Sequence, residues 1–406
     1  MSINLLTDRG TPVDQQRFTW KDLVRIPYSK LDDDAFTRVR VILMNGIESD
    51  SVRFLHVAAR MVNTELRREM AKIRRVDHHQ QTMVNWLNPP DQSVLETTIG
   101  FEQVAIEVTA AVALAEPDPY QAAIYRFGLL EDFDHMYRYS ALMDRVEGKD
   151  ANTIIQSYTD VIAGRPTSIE HRHPIDDVRD HYNKDNAAFI TKLHALTIVS
   201  GEFQTHDYYM NVGPTFADPI ARQLYAEIAS IEEQHVTQYS SLIDPRETLL
   251  EQWLLHEANE VYNYWSCVQY ETNPAVRQIW ERFLDYELGQ LQHVAELFKR
   301  YERRDPAEVL PAQLPEPIHY ISHREYIQRV LVAERNLSAR ETMIVPRDQE
   351  APRTVQYRDQ LNSEGSPSDR IAADWRWDPG TELSSMDAGD VELPQSIASE
   401  KVRRTV

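Results

Sequence analysis

Apolar residues recur every three to four positions through most of residues 36–304, the spacing that places them on one face of an α-helix. Proline beside aspartate or asparagine marks the starts of several such segments, because proline fits the first turn of a helix. These starts are predicted at Pro119, Pro219, Pro245 and Pro274. No segment alternates apolar and polar residues clearly enough to predict a strand. The pattern predicts an all-α fold, a bundle of eight or nine long helices built from repeated helical hairpins.

The pattern also predicts how the chain is divided. From about residue 345 the chain is polar and rich in Gly, Ser, Pro and Asp, a composition typical of disorder. The predicted segments are an irregular arm at 1–34, a first helical half of two hairpins at 35–147, a crossover linker at 148–180, a second helical half of two hairpins at 181–304, a linker with one extra helix at 305–344, and a disordered acidic tail at 345–406.

Composition and charge narrow the class of protein. The 406 residues are 42% hydrophobic, enough for one large core or two ordinary ones. A net charge of −21 argues against a nucleic-acid partner, which would require basic patches. The apolar stretch 104–115 contains Glu107 and is too short to cross a bilayer, so no membrane partner is expected. The absence of an export signal pattern and the single cysteine, Cys267, favour a cytoplasmic protein.

A set of potential metal ligands occurs twice in the sequence, 100 residues apart. Each copy consists of a glutamate, an acidic residue 30 positions later and a histidine three positions after that. This spacing indicates an internal duplication. The six residues are Glu102, Asp132, His135, Glu202, Glu232 and His235.

The spacing suits a metal site inside a helical bundle. An acid and a histidine three positions apart share one helix face, about 5–6 Å apart, so both can reach one ion. Glu102 and Asp132 are each thirteen residues from the turn between their helices, which places them at the same level of the hairpin. Buried carboxylates at this density are unfavourable unless they bind cations. Carboxylates together with imidazoles suit iron or manganese.

Glutamates from two helices, with an acid-x-x-His motif from each of two others, resemble the ligand pattern of the ferritin-like superfamily. That superfamily includes ferritins, rubrerythrins, diiron oxygenases and the small subunit of ribonucleotide reductase. The resemblance implies a ferritin-like bundle with two Fe ions, or Fe and Mn, at its site. Asp132 departs from the usual glutamate by one methylene. The chain has no Cys-x-x-Cys pair, so a redox cycle would need an external electron donor.

A weaker form of the repeat flanks the two complete copies. Shifted by 55 residues, Glu257 and Glu287 match Glu202 and Glu232, but Gln290 replaces the histidine. Before the first copy, Glu48 precedes Asp77 by a similar interval, and glutamine again replaces histidine. Glu257 and Glu287 are therefore predicted as a second rank of metal ligands, ahead of Glu48 and Asp77.

Two assemblies of the hairpins remain open. In the first, the two inner hairpins pair across the 148–180 crossover to form one full site, with the outer hairpins as cladding. In the second, each half of the chain forms its own four-helix bundle with a weaker site. The long crossover favours the first assembly, because ferritin-like bundles resemble it in needing one long connection.

Tyr139 and Tyr239 follow the two histidines by four residues and share their helix face. The offset resembles that of the radical tyrosine of the ribonucleotide reductase small subunit. The interpretation we favour is a core aromatic whose hydroxyl group supports a ligating carboxylate.

Three functions fit the sequence. The leading hypothesis is an oxygen- or peroxide-dependent oxidoreductase with a dinuclear carboxylate centre, for which an apolar pocket beside the ligands is expected. The alternatives are a ferroxidase or iron-handling protein, and a degenerate ferritin-like scaffold without redox activity. Partners to test are the electron donor and a second copy of the chain in a homodimer.

Overall fold

The computed structural model describes residues 3–25, 29–31, 34–156, 158–161 and 170–373. This part of the chain is mostly helical, as predicted, and contains eight helices of 22 to 29 residues. They are α1 (Ala35–Ala58), α2 (Thr64–Asn85), α3 (Val94–Ala115), α4 (Pro119–Glu147), α5 (Phe189–Val212), α6 (Pro219–Ser240), α7 (Leu249–Tyr270) and α8 (Pro274–Glu302).

Side chains that cap the first turns explain where these helices begin. Asp118, Asp218 and Asn273 accept backbone N–H bonds at the starts of α4, α6 and α8, with proline in the first turn, as predicted. Pro245 does not start a helix, since α7 begins four residues later behind the capping residue Thr248. A reciprocal bond between Thr248 and Glu251 supplies the stronger start signal there.

Smaller elements follow α8. They are α9 (Arg324–Glu334), the antiparallel strands β1 (Leu337–Arg340) and β2 (Met343–Pro346), α10 (Pro352–Leu361) and α11 (Pro367–Ala372). Single-turn helices lie at Trp20–Leu23 and Asn152–Ile155. The hairpin corrects the expectation of a chain without strands. Each strand has only four residues, too few to show an alternating pattern in the sequence.

Helices α10 and α11 also correct the prediction of a disordered tail from residue 345. Buried polar contacts order this stretch although it is poor in apolar residues. Asp176 accepts bonds from Arg353 and Thr354 of α10, and Glu227 accepts a 2.9 Å bond from the backbone N–H of Ser368 in α11. The remainder of the predicted tail, 374–406, lies outside the described residues.

The chain divides into two compact units. The first, called the outer bundle, comprises residues 1–92, 182–204 and 243–320, with hairpins α1–α2 and α7–α8. The second, called the inner bundle, comprises residues 93–181, 205–242 and 321–406, with hairpin α3–α4, helix α6 and the last turns of α5. Helices α3, α4 and α6 of the two inner hairpins lie in the inner bundle, but most of α5 is assigned to the outer bundle. The two outer hairpins, expected as cladding in the first predicted assembly, lie together in the outer bundle.

Helix α3 contains the apolar stretch at residues 104–115. By length and composition this helix could cross a membrane, but 83% of its apolar window is buried. The core helix of a globular unit passes the same test, so the finding is weak evidence for a membrane span.

Candidate metal centre

Three helices of the inner bundle bring five of the six predicted ligands together. Glu102 lies on α3, Asp132 and His135 lie one turn apart on α4, and Glu232 and His235 lie one turn apart on α6. All five side chains are fully buried. The acid-x-x-His spacing therefore presents each pair from one helix face, as predicted.

Glu232 lies between the two imidazoles. Its Oε1 is 3.0 Å from Nδ1 of His135, and its Oε2 is 3.4 Å from Nδ1 of His235. Nδ1 of His235 is also 3.6 Å from Oδ1 of Asp132, and Nδ1 of His135 is 3.8 Å from Oε2 of Glu102. The two rings are 5.8 Å apart between centroids. A carboxylate that bridges two metal ions needs one oxygen beside each ion, and Glu232 presents one oxygen toward each imidazole.

The far nitrogen of each imidazole meets a second carboxylate. Nε2 of His235 hydrogen-bonds to Glu131 at 2.9 Å, and Nε2 of His135 lies 3.4 Å from Glu170. Both carboxylates are in turn bonded to buried arginines, Glu131 to Arg172 and Glu170 to Arg138. A carboxylate behind a histidine orients the ring and leaves the opposite nitrogen available to a metal.

The electrostatics favour the metal-binding form of one histidine, His135. Burial, together with the charge of Arg138, holds the pKa of His135 well below its ordinary value, so its imidazole is neutral. Burial alone would raise the pKa of Glu131, but Arg172 and His235 outweigh it and lower that pKa to about 2. Neutral imidazole is the form that ligates metals.

Glu202, the sixth predicted ligand, is buried on α5, in the part of that helix assigned to the outer bundle. Its membership in the ligand set therefore stays a prediction from the 100-residue repeat.

The two predicted tyrosines are both fully buried in the inner bundle. The ring of Tyr139 lies 5.1 Å from that of Tyr209 and 4.9 Å from that of Tyr225. Its hydroxyl group has no hydrogen-bond partner among the described residues. Tyr239 lies 6.1 Å from the ring of His235, and its hydroxyl is so close to Gly128 that any Cβ there would collide with it.

The hydroxyl that supports a predicted ligand belongs to Tyr209, which donates to Oε1 of Glu102. The sequence offered a signal for this role. Tyr209 follows Glu202 by seven residues, and Tyr264 follows Glu257 by the same interval. In the outer bundle Tyr264 donates to Glu48, the counterpart of Glu102.

The second-rank residues Glu257 and Glu287 lie in the outer bundle, in a separate buried acidic cluster. Burial raises the pKa of both well above its ordinary value, assisted by the charge of Asp77 nearby. The pKa of Asp77 itself rises to about 7, again chiefly through burial. The sequence analysis overlooked one member, Glu260, which lies one turn after Glu257 on α7 and is 1% exposed.

Comparison of the chain with protein-family models, with curated proteins and with solved structures finds no match. Of the supporting set of the inner cluster, the sequence singled out only Glu131, within a turn of the motif, as a residue that either supports a ligand or is exposed. Glu131 and Arg138 adjoin the motif without repeating between the copies, while Glu170 and Arg172 lie in the crossover. Only the folded chain brings them to the histidines.

Proposed function

We propose that the inner bundle binds a dinuclear metal centre of two iron ions, or of iron and manganese. We further propose that the chain is a ferritin-like oxidoreductase that uses oxygen or peroxide. The observation that carries the proposal is the position of Glu232 between Nδ1 of His135 and Nδ1 of His235.

The donor set fits such metals. Carboxylate oxygens and neutral imidazoles are ligands that iron and manganese accept. His135 and Glu102 would hold one ion, and His235 and Asp132 the other, with Glu232 shared between them. The repeat assigns Glu202 to the second ion. Neither ring nitrogen of the buried His135 has a hydrogen-bond partner in the described part of the chain, and such a group is costly to bury without a ligand.

When bound, such metals supply electron exchange with oxygen or peroxide. The residues of the chain orient the ligands and limit the access of water. Glu131 hydrogen-bonds to the imidazole of His235 and Glu170 lies beside that of His135, and Arg172 and Arg138 form ion pairs with those two carboxylates. Tyr209 fixes Glu102 by its hydrogen bond. Full burial of the ligands limits the access of water to the site.

A second candidate, a ferroxidase or iron-handling protein, is favoured by a cavity of about 230 Å³ in the inner bundle. Its wall includes Glu170 and Arg138, which stand behind His135, and four of its nine lining residues are acidic. A polar, acidic cavity suits the passage of cations. The oxidoreductase hypothesis instead predicted an apolar pocket beside the ligands. The lining residues are Arg138, Glu170, His171, Glu227, Arg358, Asp359, Asn362, Ser366 and Asp369.

The chain itself suggests the variant that tests the site, because glutamines replace both histidines in the outer bundle. We would express wild type and a His135→Gln, His235→Gln double variant in medium supplied with iron and manganese, and measure metal content by elemental analysis. The matched control is His78→Gln, His319→Gln, which changes two exposed histidines. The proposal expects about two metals lost in the double variant and none in the control. Equal metal content in all three proteins would overturn it.

Oxygen consumption then separates the two functions. An oxidoreductase should consume oxygen with an external reductant while its own metals stay bound. A ferroxidase should oxidise many equivalents of added Fe²⁺ per chain without that reductant. Whichever of the two activities the wild type shows, the double variant should lose it. If the activity survives in the double variant, the inner site does not catalyse the reaction.

A further inference from the structure

Five carboxylates meet inside the outer bundle, and none of them belongs to the site proposed for the inner bundle. They come from four helices, and each side chain is at most 1% exposed. The five are Glu48 on α1, Asp77 on α2, Glu257 and Glu260 on α7, and Glu287 on α8.

No lysine or arginine among the described residues forms a salt bridge with any of these five side chains. Their hydrogen bonds come from neutral donors. Gln80 donates to Glu48 at 2.9 Å and to Glu287 at 2.5 Å. The remaining donors are Ser51, Trp253, Tyr264 and Gln290. This contrasts with the inner bundle, where buried arginines accompany the carboxylates behind the histidines. Five buried carboxylates without a cation are strongly unfavourable as anions.

Several oxygens of the cluster have no hydrogen-bond partner within the described residues. Both carboxylate oxygens of Glu260 are buried and lack a donor, apart from a contact with the neighbouring carboxyl group of Glu287. One oxygen each of Glu48, Asp77, Glu257 and Glu287 is also buried without a donor. These oxygens point to a missing partner with positive charge, because buried acceptors are nearly always satisfied.

The geometry divides the cluster into two positions. Ligand atoms of Glu48, Asp77 and Glu287 all lie within 4.8 Å of one another, and so do those of Glu257, Glu260 and Glu287. Glu287 belongs to both groups and is the residue that the two positions share. The arrangement parallels the inner cluster, where Glu232 lies between two histidines, but both histidine positions are now occupied by Gln80 and Gln290.

We propose that the outer bundle holds a second, dinuclear cation site, bridged by Glu287, which takes hard divalent cations of the Mn²⁺, Mg²⁺ and Ca²⁺ class. The donors are oxygens alone, and such sets select these ions, whereas imidazoles broaden a site toward iron and zinc. Gln290 adds a neutral oxygen, which is also buried without a partner. The inference uses no residue of the inner site, so it stands or fails separately from the proposed function.

Trp253 gives the site a spectroscopic reporter. Its indole N–H donates to Oε1 of Glu257 at 2.8 Å, so the ring lies beside the proposed ions. Tb³⁺ prefers oxygen ligands and emits when an adjacent tryptophan is excited. We would therefore titrate the full-length, metal-stripped protein with Tb³⁺ under tryptophan excitation, and then add Mn²⁺ as a competitor.

The variant that removes the site is Glu260→Gln, Glu287→Gln. Glutamine preserves the size of each side chain and removes its charge, so the bundle should still fold. The matched control is Glu281→Gln, Glu296→Gln, which changes two exposed acids of α8 and corrects for binding of Tb³⁺ to the acidic surface. A third protein, Trp253→Phe, should bind Tb³⁺ with much weaker sensitised emission.

Wild type, the exposed-acid control and the His135→Gln, His235→Gln variant should all show sensitised emission that Mn²⁺ displaces. Glu260→Gln, Glu287→Gln should show only background. Emission from that variant equal to the control would overturn the proposal, as would emission that Mn²⁺ cannot displace. If the double variant does not fold, single Glu260→Gln must weaken Mn²⁺ competition at least several-fold, and an unchanged competition curve would again overturn it.

Discussion

At the residue scale, the two histidines of the inner bundle depend on the carboxylates behind them. Glu131 hydrogen-bonds to the outer nitrogen of His235, Glu170 lies 3.4 Å from that of His135, and buried arginines form ion pairs with both carboxylates. Without these contacts each imidazole could rotate or take the other tautomer. The supporting residues therefore decide whether Nδ1 faces the centre, although none is predicted to touch a metal.

Replacing Glu131 with Gln should weaken metal binding without removing a ligand. The neutral amide cannot stabilise the His235 tautomer as the carboxylate does, and Arg172 loses a charged partner. Loss of a residue that orients a ligand typically costs roughly 10–100-fold in metal affinity. Competition with a chelator would measure the change, with Glu281→Gln as control. An affinity equal to that of the control would contradict the role assigned to Glu131.

Tyr209 and Tyr139 provide a matched pair of hydroxyl groups in one buried aromatic cluster. Tyr209→Phe removes the bond to Glu102 and should cost about 1–3 kcal/mol of unfolding free energy, since a buried acceptor loses its donor. Tyr139→Phe removes a hydroxyl that has no partner in the described structure and should cost less. Urea unfolding of the metal-stripped proteins measures both. Equal losses of unfolding free energy in the two variants would indicate that the Tyr139 hydroxyl makes a stabilising hydrogen bond.

At the element scale, the capping residues were a good guide to where helices start, whereas composition was a poor guide to which segments are ordered. Asp or Asn followed by Pro marked the starts of α4, α6 and α8, because these residues act within one turn. The same pair at Asp244-Pro245 precedes a turn, since Asp244 instead bonds to Lys184 and Arg246. Helices α10 and α11 were missed because contacts with distant residues hold them in place.

Glu227 makes the docking of α11 sensitive to acid. Burial would raise its pKa, but the bond to His171 and the charge of Arg138 outweigh burial and lower that pKa to about 2. A folded-state pKa below the unfolded value of roughly 4.3 means that the stabilisation is present above that value and is lost as the pH falls toward 2.

We therefore expect hydrogen-exchange protection of residues 367–372, corrected for intrinsic rates, to decline between about pH 4.5 and pH 2. In Glu227→Gln the protection should already be low at pH 7 and should vary little over this window. A decline of equal size in the variant would assign the effect to another group.

At the scale of the whole molecule, one hairpin repeat has produced two compact units with different chemistry. The inner unit keeps two histidines among its acids. The outer unit has glutamines at Gln80 and Gln290 and an added acid at Glu260. Each unit combines helices from both predicted halves of the chain. This divergence separates a proposed redox centre from a proposed site for hard cations.

Metal removal should therefore affect the two units separately. A metal bound only to the folded state at 100 times its dissociation constant adds about 2.7 kcal/mol of stability. Calorimetry of chelator-treated protein should show iron raising one unfolding transition and Ca²⁺, which prefers the all-oxygen ligand set of the outer bundle, raising another. The His135→Gln, His235→Gln variant should lose only the iron effect. A single transition that both metals raise equally would contradict separate sites.

The sequence alone determined the helical class, most helix starts and the spacing of five predicted ligands that the inner bundle brings together. These features depend on local spacing, since a three-residue step on a helix sets which side chains share a face. Tertiary structure decided which hairpins associate, which acid stands behind each histidine, and that Glu260 joins the outer cluster. Those outcomes depend on contacts between residues far apart in the chain, and the local pattern does not encode them.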